Sequence, residues 1–175
     1  MAYKGGKIMI LYHGGTHIIE KPLIVTGDQG RDFGFAFYAT DIRDQAERWA
    51  LRRARYRSRQ AGIPVKGIVC EYEFDDELIS DLSVRNFPDP SLEWIDFVVA
   101  CRSDVSYRHG YDLVTGKIAN DRVGETISYV VQGIMRKEDA LERLKFQHIN
   151  NQFAFCTELA ISKLKFLRSY EVENV

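Results

Sequence analysis

The segment Val65–Asp75 restricts the fold more than any other part of the chain, because its residues alternate in polarity over consecutive positions. The apolar and aromatic positions are Ile68, Cys70, Tyr72 and Phe74. Between them stand Val69, Glu71 and Glu73. Successive side chains of a strand point to opposite faces of its sheet, so this pattern predicts a half-buried strand with one face against a core.

The remaining segments add strands and helices in an irregular order. Further strands are predicted at Lys7–Tyr12, Phe35–Thr40, Tyr111–Ala119, Phe153–Cys156 and Lys165–Val172. Helices are predicted after a cap at Thr40 or Asp41, from Ser91 to Cys101, over Gly124–Gly133, over Lys137–Leu144 and from Thr157 to Leu164. The first helix is expected to bury Ile42, Ala46, Trp49, Ala50 and Ala54. Without a regular βαβ alternation, the order favours an α+β fold in a single domain over residues 1–175.

Composition and charge set the broad class of the protein. Charged residues make up 28% of the chain and hydrophobic residues 45%, which is typical of a soluble globular protein. No apolar run approaches the roughly 20 residues of a membrane-spanning helix, and Met1–Gly6 lacks the long apolar segment of a secretory signal. The three cysteines have no metal-binding or disulfide spacing, so we expect a cytoplasmic protein. A protein injected into another cell would need no signal peptide either.

Three segments place polar or aromatic residues at the edges of apolar strands. They are Leu11–Gly15 (LYHGG), Gly30–Thr40 (GRDFGFAFYAT) and Asn151–Phe155 (NQFAF). A strand holds such residues rigidly while the adjoining loop leaves room for a ligand. These segments are therefore the candidates for a functional site.

In the same order, the three segments resemble the diphtheria-toxin and poly-ADP-ribose-polymerase branch of the ADP-ribosyltransferase superfamily. The first resembles the Tyr-His-Gly strand end of that branch, and the second resembles its glycine-rich loop leading into a strand with a tyrosine. The third lies where the last residue of the catalytic triad, usually Glu, begins a strand. The resemblance covers nearly the whole chain and implies an uncharacterised bacterial family of that superfamily. It also implies a split β-sheet with NAD⁺ in a cleft between two small sheets.

The resemblance implies roles for individual residues. His13, Tyr38 and Gln152 would form the catalytic triad, in which His13 binds ribose hydroxyls and Tyr38 stacks on the nicotinamide ring. Gly14 would offer backbone groups to the nicotinamide carboxamide. Secondary contacts would come from Arg31, to the pyrophosphate, and from Thr40.

Position 152 departs from the pattern of the resembling families. Cleavage of the nicotinamide–ribose bond passes through an oxocarbenium-like state, which a carboxylate stabilises. The amide of Gln152 can orient a ribose hydroxyl but opposes the developing charge only with a dipole. Glu158, six residues further on, is the alternative acid.

The function implied by the resemblance is transfer of ADP-ribose from NAD⁺ to a protein or nucleic acid, with release of nicotinamide. Relatives of this size are often toxins or delivered effectors, so a small antitoxin or immunity protein is an implied partner. Two alternatives remain open at this point. One is hydrolysis of NAD⁺ with water as acceptor, and the other is a non-catalytic NAD⁺ or nucleotide-binding module.

Two other patterns are rejected as sites. His13 and His17 have the i, i+4 spacing of a helical zinc site, but Gly14 and Gly15 disfavour a helix and no third ligand is suggested, so no metal is predicted. The segment from Gly110 to Lys117 resembles a phosphate-binding loop, but it has one residue too many between its glycines and Ile118 where Ser or Thr is required.

The predicted helix between Arg43 and Arg59 is rich in arginine. Its arginines are Arg43, Arg48, Arg52, Arg53, Arg55, Arg57 and Arg59. A solvated face is the usual explanation, but the last five crowd into eight residues with no acid among them. An acidic protein or a nucleic acid is therefore a second hypothesis for this helix, although the formal net charge of −1 predicts no polyanionic partner for the protein as a whole.

Overall fold

A computed structural model of the protein describes residues 7–27, 30–118, 121–144 and 150–173. Met1–Gly6, named above for the secretory signal, and Ala119, the last residue of the predicted strand Tyr111–Ala119, lie outside the described residues. Within those residues the strands are β1 (Ile8–Gly15), β2 (Phe37–Ala39), β3 (Gly67–Asp75), β4 (Val84–Phe87), β5 (Leu113–Ile118), β6 (Asn150–Phe155) and β7 (Leu164–Val172). The helices are α1 (Arg43–Ala61), α2 (Leu92–Ser103), α3 (Asp121–Val131), α4 (Lys137–Leu144) and α5 (Glu158–Ile161), with a 3₁₀ turn at Asp76–Ile79.

The strands form two small sheets, which confirms the predicted α+β class. The first sheet has the order β1-β3-β7 and is antiparallel throughout. The second has the order β2-β6-β5-β4, with β4 parallel to β5 and the other pairs antiparallel. A bridge between Tyr12 and Thr40 joins the sheets through two backbone hydrogen bonds of 2.7 and 2.9 Å. On the C-terminal side of Tyr12, β1 diverges from β2.

Side-chain alternation buries both faces of each sheet. The inner faces meet in a core formed by Leu11, Phe37, Ala39, Cys70, Tyr72, Phe74, Leu113 and Phe155 with Ala160 and Ile161 of α5. The outer face of the second sheet packs Ala36, Tyr38, Val114 and Ala154 against α2, α3 and α4. The outer face of the first sheet is covered by α1, where Ala46 and Ala50 contact Val69. The predicted alternation of Val65–Asp75 is therefore confirmed by β3, whose even positions face the inner core.

Helix starts agree with the sequence where a side chain supplies a cap, whereas the helix predicted from Thr157 to Leu164 ends at Ile161, and Leu164 begins β7. Ser91 accepts a hydrogen bond from the backbone N–H of Trp94, and Thr157 accepts one from that of Ala160, so both predicted caps are confirmed. The start of α1 was predicted wrongly. Its N-terminal flanking residue is Ile42, which supplies no side-chain cap and is 41% exposed instead of buried.

Strand boundaries differ more from the predictions. β1 continues through Gly14 and Gly15 because both pair with β3, opposite Val69 and Ile68. β4 was not predicted, since of its residues only Phe87 is buried and its pairing with β5 is a long-range contact. β6 begins at Asn150, before the predicted start at Phe153, because its pairing with β5 continues to that residue. Gln152 therefore lies inside a strand.

Candidate functional site

His13 lies where β1 leaves β2, and two contacts fix its imidazole ring. The ring stacks on Phe37 at a centroid distance of 4.7 Å and an interplanar angle of 27°. Nδ1 lies 2.7 Å from the carbonyl oxygen of Tyr38. A carbonyl can only accept, so Nδ1–H donates this bond and the neutral ring presents the Nε2 lone pair on its other side.

Electrostatics keep His13 in this neutral form. Burial lowers the pKa of His13 from its usual 6.5, the hydrogen bond to Tyr38 acts in the opposite direction, and the positive charges of Arg31 and Arg53 lower it further. The same two arginines make the surroundings of His13 positive. Such a site can accept a hydrogen bond at Nε2 and attract an anionic group beside it.

The two glycines after His13 differ in what surrounds them. A Cβ on Gly14 would lie 2.0 Å from the carbonyl oxygen of Ala46, so glycine is required there for the seating of α1. A Cβ on Gly15 would meet, among the described residues, only the His13 ring, with Nε2 at 3.4 Å. The space beside Nε2 is therefore open, and a side chain at position 15 would fill it.

The backbone of Gly14 faces the gap between the sheets. Both backbone groups of Tyr12 bond to Thr40, away from β3. Backbone groups two residues apart in a strand point the same way, so those of Gly14 also point away from β3, where β1 no longer pairs with β2. The absence of a side chain at Gly14 is explained by the closeness of α1. The backbone N–H and C=O of Gly14 are not involved in that contact, and their direction is compatible with the predicted carboxamide contact.

Tyr38 is buried, which corrects the expectation that its side of β2 lines a cleft. Its side chain is 8% exposed and packs with Phe33 in the outer core. The hydroxyl donates to the carbonyl of Gly34 at 2.5 Å and accepts from the N–H of Phe33 at 3.2 Å. Burial raises the pKa of Tyr38 well above 10, so the hydroxyl stays protonated and able to donate. The glycine-rich loop thus folds back onto Tyr38, and Cζ of Arg31 lies over the ring, 5.8 Å from its centroid.

Gln152 faces the same side of its sheet as Tyr38 and the opposite side from His13. Ala154 pairs with Tyr38, and Gln152, two residues earlier on β6, faces the same outer side and is 6% exposed. His13 stacks on Phe37, which faces the inner core. The structure therefore joins His13 to the backbone of Tyr38 and places Gln152 on the same outer face as the Tyr38 side chain, but it does not put His13 and Gln152 on one face.

Other residues at this end of β6 were missed by the sequence analysis. The side-chain amide of Gln45 forms a reciprocal pair with the backbone of Asn151, donating to its carbonyl at 3.0 Å and accepting from its N–H at 3.2 Å. Asn151 also donates through its side chain to Asp41 at 3.0 Å. Asn151 is on the inner face, as His13 is, which makes it the second candidate for the triad position. Its local sequence carried no signal beyond its place next to Gln152.

Thr40 and Glu158 occupy different ends of this region. Thr40 is fully buried, and its hydroxyl accepts a hydrogen bond from the backbone N–H of Ile42. Its backbone joins the two sheets through Tyr12, so Thr40 connects the sheets and leads into α1. Glu158 is exposed at the start of α5, beyond Phe155. It therefore lies past the opposite end of β6 from Gln152 and Asn151.

A separate open groove of about 560 Å³ lies between the C-terminal parts of α2 and α3. Its lining includes Gly30, Arg102, Asp104 and Gln132. Arg102 pairs with Asp32 at 2.5 Å and so holds the glycine-rich loop against α2. The groove does not include His13, and nothing in its lining matches the chemistry predicted from the three segments.

The chain has an α+β fold of two small sheets, with His13 at the point where the sheets separate. Comparison with known proteins places the chain in a family. The family model described as a protein of unknown function (DUF3990) matches residues 9–166, and the chain belongs to this family. Comparisons with curated proteins and with solved structures gave no match. Among the described residues, no helix is long and apolar enough to cross a membrane.

Proposed function

We propose that this protein binds NAD⁺ where β1 and β2 diverge and transfers ADP-ribose to a macromolecular acceptor, releasing nicotinamide. The observation that carries the proposal is the fixed, neutral ring of His13. Its Nδ1–H is held by the Tyr38 carbonyl at 2.7 Å, and its Nε2 faces the space left open by Gly15. Such an arrangement supplies a pre-oriented acceptor for a ribose hydroxyl.

The surrounding groups support the same ligand. The backbone N–H and C=O of Gly14 face the gap and match the hydrogen-bonding pattern of a carboxamide. Arg31 and Arg53 act on His13 from nearby and supply positive charge for a pyrophosphate. The resemblance to the ADP-ribosyltransferase superfamily motivates this assignment, together with the finer proposals of a cytoplasmic toxin or effector and a small antitoxin or immunity partner.

A second candidate function is a binding module without transferase activity. It is favoured by Gln152, because position 152 carries no charge and the side chain lies on the other face from His13. NAD⁺ hydrolysis is the third candidate and differs from the first only in the acceptor. Nicotinamide release with and without an added acceptor distinguishes these reactions from each other, and binding without release identifies the module.

NAD⁺ is expected to stabilise the protein against heat. Ligand at 100 times its dissociation constant adds about 2.7 kcal/mol to the free energy of unfolding. For a chain of this size that corresponds to a rise of about 5–10 °C in the melting midpoint. Thermal melts and titration calorimetry measure it, with ADP-ribose as the control ligand that lacks nicotinamide. No heat and no shift with millimolar NAD⁺ would remove the proposal.

Substitutions at Gln152 are expected to change turnover more than affinity. Gln152→Ala removes a neutral hydrogen bond of about 1 kcal/mol, so nicotinamide release should fall several-fold. If the ribose is reached from the outer face of β6, where Gln152 lies, Gln152→Glu supplies a negative charge that stabilises the oxocarbenium and should raise release. The assay compares these variants with Asn151→Ala and Glu158→Ala.

The matched variants decide between the candidate residues. If only Asn151→Ala lowers release, the inner face carries the triad position and Gln152 is structural. If only Glu158→Ala lowers it, the acid lies at the other end of β6. A Gln152 series that leaves turnover unchanged contradicts the assignment of Gln152.

A further inference from the structure

The exposed side of α1 carries a stripe of arginines that the proposed NAD⁺ site does not use. Arg48, Arg52, Arg55 and Arg59 are all exposed and follow the i, i+4, i+7, i+11 spacing of a single helix face. The opposite face buries Ala46, Ala50 and Ala54 against the first sheet. We call these four arginines the arginine stripe.

The charge of α1 is segregated along its length. Its two acids, Asp44 and Glu47, lie near the N-terminus, where Glu47 accepts hydrogen bonds from Arg43 and from the hydroxyl of Tyr170. From position 48 to position 61 the helix has six arginines and no acid. Removing those six charges from the formal net charge of −1 leaves −7 for the rest of the chain. A helix face that serves only solubility mixes positive and negative side chains, whereas a uniformly positive face attracts a polyanion.

An exposed aromatic ring lies beside the arginine stripe. Tyr56 is 55% exposed, and its hydroxyl accepts a hydrogen bond of 2.7 Å from the side chain of Gln60, which steadies the ring on the surface. Stacking of bases on such rings, combined with arginine contacts to phosphate, is how proteins bind single strands without sequence preference. An acidic peptide would provide carboxylates for the arginines but no flat ring for Tyr56.

The positive surface continues from α1 towards His13. Arg53 lies on the flank of α1 next to the arginine stripe and acts electrostatically on His13 together with Arg31. Arg53 therefore contributes positive charge both to α1 and to the surroundings of His13.

We propose that the arginine stripe and Tyr56 form a binding surface for single-stranded nucleic acid. Each arginine contacts a backbone phosphate, and Tyr56 stacks on an unpaired base. The proposal concerns binding alone and stands whether or not NAD⁺ is cleaved.

Fluorescence anisotropy with a labelled oligothymidylate of about 16 nucleotides tests the proposal, across a series of salt concentrations. Each phosphate contact to a single strand contributes about −0.7 to the slope of log affinity against log salt. The triple variant Arg48→Gln, Arg52→Gln, Arg59→Gln should therefore make the slope shallower by about 2 and weaken binding at low salt at least tenfold. Tyr56→Ala should weaken binding about fivefold without changing the slope.

A matched control removes three positive charges from the other side of the molecule. Arg136→Gln, Lys137→Gln and Arg143→Gln change α4 and the residue before it, where Arg136 pairs with Asp139 and Lys137 with Asp96. This control should bind the oligonucleotide like the parent. Circular dichroism melts verify that all variants remain folded, since glutamine is a good helix former.

Three results would overturn the proposal. One is a parent protein that does not bind the oligonucleotide at low salt. Another is a stripe variant whose affinity and slope equal those of the α4 control. The third is displacement by poly-glutamate at the same charge concentration with no effect of Tyr56→Ala, which would identify an acidic polypeptide as the partner.

Discussion

His13→Asn is expected to reduce nicotinamide release by about 10²-fold or more and to abolish measurable NAD⁺ binding. In the parent, the Tyr38 carbonyl accepts a hydrogen bond of 2.7 Å from Nδ1 of His13. The side-chain amide N–H of asparagine can take the place of Nδ1–H and donate to the same carbonyl. It has no atom equivalent to Nε2. The variant therefore keeps the hydrogen bond to Tyr38 and removes Nε2, the group beside Gly15, together with the stacking of the ring on Phe37.

Two measurements make this result specific to His13. His17→Asn is the control, because His17 is an exposed histidine four residues away whose ring bonds to the hydroxyl of the adjacent Thr16. Urea unfolding should show similar stability for both variants. If His13→Asn is folded and binds NAD⁺ like the parent, then His13 is a structural residue stacked on Phe37 and the proposed site is wrong.

Gly14→Ala is expected to lower the free energy of unfolding by about 3 kcal/mol, at the upper end of overpacking effects. The new Cβ would lie 2.0 Å from the carbonyl oxygen of Ala46 and 2.9 Å from the backbone N of Ala50. These are backbone atoms of α1, so no side-chain rotation relieves the contact. Either α1 must shift away from β1 or the protein unfolds.

Gly15→Ala is the matched control for this substitution. Its Cβ would meet only the ring of His13 among the described residues, at 3.4 Å, so stability should stay within about 1 kcal/mol of the parent. The same methyl group fills space beside Nε2, so NAD⁺ affinity should fall although the fold is intact. Chemical denaturation of both variants gives the comparison, and equal stabilities would show that α1 is not seated on Gly14.

Local sequence patterns predicted the elements whose residues carry their own signals. The alternation of β3, the caps at Ser91 and Thr157, and the bounds of α4 were all predicted from neighbouring residues. These signals act over a few positions, since strand alternation and helix capping are properties of adjacent residues. Where α1 lacks a side-chain cap, the predicted start and the burial of Ile42 were wrong.

Of the candidate site, the sequence predicted which residues to examine but not their surroundings. His13 and Tyr38 were named together from separate segments, and they are joined by a hydrogen bond across 25 positions of the chain. The role of Tyr38 differs from the expectation because the loop with Phe33 and Gly34 folds back onto it. Arg53 and Asn151 were assigned no role in the site, because Arg53 belonged to the arginine-rich helix and Gln152, not Asn151, was taken as the triad residue of the third segment.

The sequence by itself determined the α+β class and most of the elements, and it predicted His13 as the residue to examine. Only the tertiary structure decided that β1 and β2 meet at Tyr12 and Thr40 and then separate, that Gly14 seats α1, and that Gln152 and His13 face opposite sides. The physical reason is the range of the interactions. Periodicity and caps are encoded by neighbours, whereas strand pairing and helix seating depend on backbone contacts between distant residues, which leave no pattern in the local sequence.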